Sequence, residues 1–91
     1  MKLHDLWMMN AKSPTQRALM LVHGMRSARC ASSVASALGL IRGVSKVEIS
    51  LQQSEVEIVF DPSKAEPQQF QTAVRAVGFR PEFIEASQAA A

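Results

Sequence analysis

An α+β domain is predicted here, a four-stranded antiparallel sheet with two helices packed on one face. Three patterns predict it: two segments repeat apolar residues at helical spacing, others alternate or run apolar as strands do, and Gly or Pro punctuates the junctions.

The first predicted strand is the apolar run Ala18-Leu19-Met20-Leu21-Val22-His23, closed by Gly24. The first helix starts near Ala28. Its apolar stripe is Ala31, Val34, Ala35, Leu38 and Ile41, and Gly39 and Gly43 are its stop signals. Strands two and three follow from strict alternation, Val47, Ile49 and Leu51 and then Val56, Ile58 and Phe60, with a turn at Gln52 to Ser54. Asp61-Pro62 ends strand three. Pro67 suits the first turn of a second helix, whose apolar face is Phe70, Ala73, Val74 and Val77, with Gly78 as a left-handed cap. A last extended segment, Phe79 to Ile84, carries Pro81, which a strand tolerates at a sheet edge. The order strand, helix, strand, strand, helix, strand is the ferredoxin-like βαββαβ sandwich. Residues 17–84 form the expected domain, with a flexible N-terminal extension at 1–16 and a flexible tail at 85–91.

Ninety-one residues, 47% hydrophobic and 20% charged, suffice for one core. The net charge of +2 is spread along the chain, and the five aromatic residues do not form a basic-aromatic strand pattern, so nucleic-acid binding is not expected. No stretch approaches the ~20 apolar residues of a membrane span. The domain is therefore expected to be soluble with no direct membrane insertion, though it could belong to a larger membrane protein. A single cysteine cannot form an internal disulfide, and the N-terminus lacks a secretory pattern, which points to the cytoplasm. Carboxylates offer no catalytic pair, and no phosphate loop or zinc spacing is present; an enzyme is not expected.

Chemistry concentrates in His23-Gly24-Met25-Arg26-Ser27-Ala28-Arg29-Cys30. Cys30 falls in the first turn of the predicted helix, where free N–H groups favour an anion, and Arg26 and Arg29 flank it; both effects favour thiolate. The competing reading makes Cys30 a small apolar residue packed under the loop. Ser27 suits a helix cap. His23 is a minor ligand candidate by its closeness to Cys30. His4, Met8 and Met9 add soft or borderline ligands in the N-terminal extension, beside Trp7, which resembles a docking side chain.

This segment resembles the Gly-Met-x-Cys-x-x-Cys motif of the heavy-metal-associated domain family, found in copper chaperones, the mercury-binding periplasmic protein and the N-terminal modules of metal-exporting ATPases. Gly24, Met25 and Cys30 match, and Ser27 stands at the first cysteine. The resemblance continues through Val34, Leu38, Gly43-Val44, Phe60-Asp61-Pro62 and Ala76-Val77-Gly78-Phe79. It implies a ferredoxin-like fold, Met25 as a loop scaffold, Phe79 beside the metal loop, and Cys30 as a ligand of a soft ion such as Cu(I). A serine cannot replace a thiolate toward Cu(I). The second thiolate would then come from a second copy of the chain or from a partner such as a metal-transporting ATPase. The alternative is a metal-free interaction or regulatory domain on the same fold.

Overall fold

The computed structural model describes residues 15–88. The elements are β1 (Gln16–His23), α1 (Ala28–Gly39), β2 (Val44–Ser50), β3 (Glu55–Phe60), α2 (Pro67–Ala76) and β4 (Arg80–Gln88). All strand pairings are antiparallel, in the order β2-β3-β1-β4, so β1 and β3 are central. The predicted βαββαβ sandwich is the fold observed.

Alternation decides which face of the sheet is covered. In β1, Ala18, Met20 and Val22 are buried, and in β3, Val56, Ile58 and Phe60 are buried. Their registered partners continue that layer under the helices, where Val34 and Leu38 of α1 and Phe70 and Val74 of α2 close it. Phe60 and Phe70 meet edge to face, with centroids 4.9 Å apart and planes at 79°. Each fully buried side chain of this size contributes about 1.5–3 kcal/mol relative to exposure.

Both helices begin with side-chain caps. Ser27, in extended conformation, caps α1, and Glu66 caps α2, where Gln69 Oε1 accepts the Glu66 N–H at 2.8 Å. Pro67 occupies the start of α2, as predicted. The end of α1 differs from expectation. Gly39 is the last helical residue, the chain leaves through right-handed Leu40, and the positive φ belongs to Gly43. Ile41 N–H bonds to the Leu38 carbonyl at 3.1 Å, a tightened last turn.

Two strands are longer than their sequence patterns suggest. β2 starts at Val44 because its register shifts between Val44 and Lys46; this lets Val44 and Val47, three residues apart, both pack on the core. β4 runs to Gln88, so Glu85 to Gln88, read from sequence as tail, pair with β1. The register shift opposite Leu19/Met20 leaves Ile84 as the extra residue. Pro81 lies opposite Val22, whose N–H turns away from β4 to the Ser54 carbonyl at 2.8 Å. Pro81 therefore sits at a non-hydrogen-bonded pair, where its missing N–H costs the β1–β4 ladder nothing. The N-terminal extension, apart from Thr15 and Gln16, lies outside the described residues, together with His4, Trp7, Met8 and Met9; so do the last residues of the tail.

Candidate metal-binding loop

β1 delivers the chain to the sheet end at His23, and α1 begins at Ala28, so four residues must turn back over the edge. Gly24 makes that reversal with φ +107°. A Cβ here would also stand 3.2 Å from Cδ1 of Phe79, whose half-buried ring closes the loop from the β4 side. Met25 plugs the core beneath, only 7% exposed, which keeps its thioether off the surface.

Cys30 is thereby set in the first turn of α1, half-buried, with its carbon side against the core. Ser27 Oγ accepts the Cys30 N–H at 3.4 Å and donates to Cys30 Sγ at 3.6 Å. The thiol is held below its ordinary pKa by the Arg26 backbone N–H first and the Ser27 hydroxyl next. Partial burial opposes this, while the Ser27 N–H and the Arg26 charge add to it. The sequence reading located the effect correctly and its source incompletely. Arg26 acts mainly through its amide, and Arg29 is not among the causes.

The ring of His23 is engaged elsewhere. Val22 faces the helices, so His23 faces the open side of the sheet, where its Nε2 lies 3.0 Å from Glu82 Oε1. That partner is 59 residues away in sequence and could not be read from spacing. Among the described residues no group of three or more His, Cys, Asp or Glu side chains is placed to hold a metal ion. The loop itself thus offers one thiol and one hydroxyl. No described helix is long and apolar enough to cross a membrane.

The lowered thiol pKa has a direct readout. Alkylation of Cys30 in the folded protein should reach half its maximal rate at lower pH than a free model thiol. Ser27→Ala, which removes the hydroxyl donor, should move that midpoint back up. Rates measured against pH on both forms check this, and a midpoint at or above the free thiol's would contradict the loop geometry.

In sequence and in fold the chain is similar to known proteins. Residues 19–80 match the heavy-metal-associated domain. The chain is 35% identical over 65 residues to the mercuric transport protein periplasmic component of Shigella flexneri, covering 71% of each. It is 36% identical over 58 residues to the copper chaperone CopZ of Staphylococcus aureus (strain MRSA252), covering 64% of this chain and 85% of that one. Copper-transporting ATPase 1 of Mus musculus is 35% identical over 72% of this chain, a stretch that is 4% of the ATPase's length. The crystal structure of a copper-binding domain from a P-type ATPase superposes with a TM-score of 0.75 at 30% identity, covering 78% of this chain and 96% of that domain. The relatives of comparable length are a mercuric transport component and a copper chaperone, and this chain, like them, is not an enzyme. By its fold, its loop and these matches together, the chain belongs to the heavy-metal-associated domain family.

Proposed function

We propose that the domain binds a soft metal ion, Cu(I) foremost, through Cys30, and hands it between thiolates. The observation that carries this reading is the state of that sulfur: half-buried, at a capped helix start, and held toward thiolate by the Arg26 N–H and the Ser27 hydroxyl. A thiolate is the ligand form, and its softness matches Cu(I). The copper and mercury relatives support soft-metal chemistry in general. Because Ser27 supplies no second thiolate, the ion is completed by another molecule, either a second copy or the thiols of a metal-transporting ATPase. We place this exchange in the cytoplasm, where a lone thiol stays reduced.

Competition against a chromophoric Cu(I) chelator tests the reading. The native protein should take up Cu(I) in a concentration-dependent way, at half an equivalent per chain if two copies share the ion, and Cys30→Ser should take up none. Equal, negligible competition by the two proteins would leave the metal-free interaction domain as the better account.

A further inference from the structure

Among the described residues β2 has a strand on one side only, so its other edge is open. Parity tells which groups line that edge. Val22 donates to the Ser54 carbonyl, so Ser54, Val56 and Ile58 turn their peptide groups toward β1, and Glu55, Glu57 and Val59 turn theirs toward β2. The Asp61 N–H, on the Gly43 carbonyl at 2.8 Å, keeps this parity. Ser50, Glu48 and Lys46, which pair with those three residues, face back toward β3 and leave the N–H and C=O groups of Val47 and Ile49 pointing out of the sheet. Such a row is a template for a further strand, and β2 has no proline to interrupt it.

The side chains say which strand fits. Lys46 and Glu48 stand on the open face of the sheet, each more than half exposed, with Nζ 3.3 Å from Oε2. Glu48 also lies directly opposite Glu57, a like-charged pair, and Arg17 reaches Glu57 at 2.8 Å from β1, the side away from Glu48. Laid antiparallel against itself about Val47, the strand is self-complementary in charge: each Lys46 meets a Glu48. Sliding the pairing by two residues one way sets Glu48 against Glu48, and the other way Lys46 against Lys46; a slide of one residue puts charges against the apolar side chains of the helix face.

We propose that β2 is a self-association edge, through which two copies of the chain pair antiparallel about Val47 into one eight-stranded sheet. At Val47 the two chains exchange N–H···O=C bonds, so Lys46 and Glu48 fall at the neighbouring positions, where facing side chains come closest. Each Glu48 gains a cation on the side opposite the one where Glu57 repels it. Val47, half-buried on the helix face in one chain, is covered there by its counterpart. β2 ends at the same end of the sheet as β1, where the Cys30 loop sits, so antiparallel pairing sends the two loops to opposite ends. This dimer therefore does not share an ion between two Cys30 thiols, and it stands independently of metal binding. One pair of seven-residue strands makes an interface of the transient class, under about 1,200 Å².

Sedimentation of the full-length, metal-free, reduced protein tests this. The sedimentation coefficient should rise from that of a monomer toward that of a dimer as concentration goes from the micromolar to the millimolar range, and fall back in high salt. Lys46→Glu and Glu48→Lys each turn both cross-chain pairs repulsive; each should weaken association by about tenfold or more, with the far-ultraviolet circular dichroism unchanged. Mixed together, the two variants should associate again, and Lys46→Glu/Glu48→Lys in one chain should self-associate as the native protein does. Amide exchange locates the contact: the N–H groups of Val47 and Ile49 should exchange more slowly as concentration rises, while that of Glu48, turned toward β3, should change little. A native protein that stays monomeric throughout would overturn the proposal. Association that neither single variant weakens, or that mixing does not restore, would place the contact on another surface and overturn it. Val47 and Ile49 amides protected equally at every concentration would mean that the edge is covered within one chain, which overturns it as well.

Discussion

Ser27→Cys should convert the loop into a tight intramolecular Cu(I) site, raising affinity over the native protein by at least about a hundredfold, the lower end of the gain expected when a second ligand is supplied within one chain. The geometry is already close. Ser27 Oγ lies 3.6 Å from Cys30 Sγ, and metal–thiolate bonds of about 2.3 Å let one ion bridge sulfurs up to about 4.6 Å apart. A small χ1 adjustment at position 27 therefore suffices, and the half-exposed loop can supply it. The substitution also removes the Ser27 cap from α1, a loss of about 1 kcal/mol in the unloaded protein that metal binding offsets. Chelator competition on native, Ser27→Cys and Cys30→Ser forms measures the gain, and the stoichiometry of Ser27→Cys should be one ion per chain, independent of protein concentration. If Ser27→Cys bound no better than the native chain, the two side chains would not share the loop face described for them.

The second large effect is on stability. Phe60 is fully buried at the end of β3, edge-on to Phe70 of α2, and joins the sheet to the helical layer. Phe60→Ala should cost about 3–5 kcal/mol through lost transfer energy and the cavity left behind, with about 0.5–1.5 kcal/mol of that from the aromatic pair. A folded unit of this size holds on the order of 4–11 kcal/mol in total, so the variant stands at the margin of folding. Urea unfolding at unchanged m-value, or a fall in Tm of tens of degrees, is the expected result. Phe60→Leu, which keeps most of the volume, should lose distinctly less. A loss under about 1 kcal/mol for Phe60→Ala would mean that the Phe60–Phe70 contact is not the joint described.

The central strands and both helices were legible in the sequence because their periods are unbroken: Val56, Ile58 and Phe60 alternate, and Phe70, Ala73, Val74 and Val77 mark one helical face. The edges were not, and the reason is parity. Val44 and Val47 both pack on the core across an odd interval, and Phe83 and Ala86, though exposed, share one side of the sheet by register with Met20 and Ala18 across another; in each case an irregular pairing absorbs the extra residue. Alternation read from sequence assigns one member of each pair to the wrong face. Past Ile84 the strand continues in Glu85, Ala86 and Ser87, whose side chains carry no strand signal; its extension is dictated by β1. At the site, Gly24, Met25 and Cys30 could be found by motif, and Ser27 by its capping position. What tunes the thiol could not be found in the same way, because the leading donor is a backbone amide aimed by the fold of the loop. Proximity in sequence pointed instead to the two arginine charges.

The placement of Pro81 bears on how the molecule behaves among its own copies. With its partner Val22 turned toward β3, the nitrogen of Pro81 faces the outer margin of the sheet, where an ordinary residue would present a donor to solvent. That margin carries partly exposed Phe83 and Ile84 and is otherwise a template on which a stray strand could zip up. A gap in the donor row next to these two residues denies such a strand a continuous ladder, and Glu82 and Glu85 beside it add like charge against self-pairing. The domain is in this way kept from sticking to its own copies along that flank.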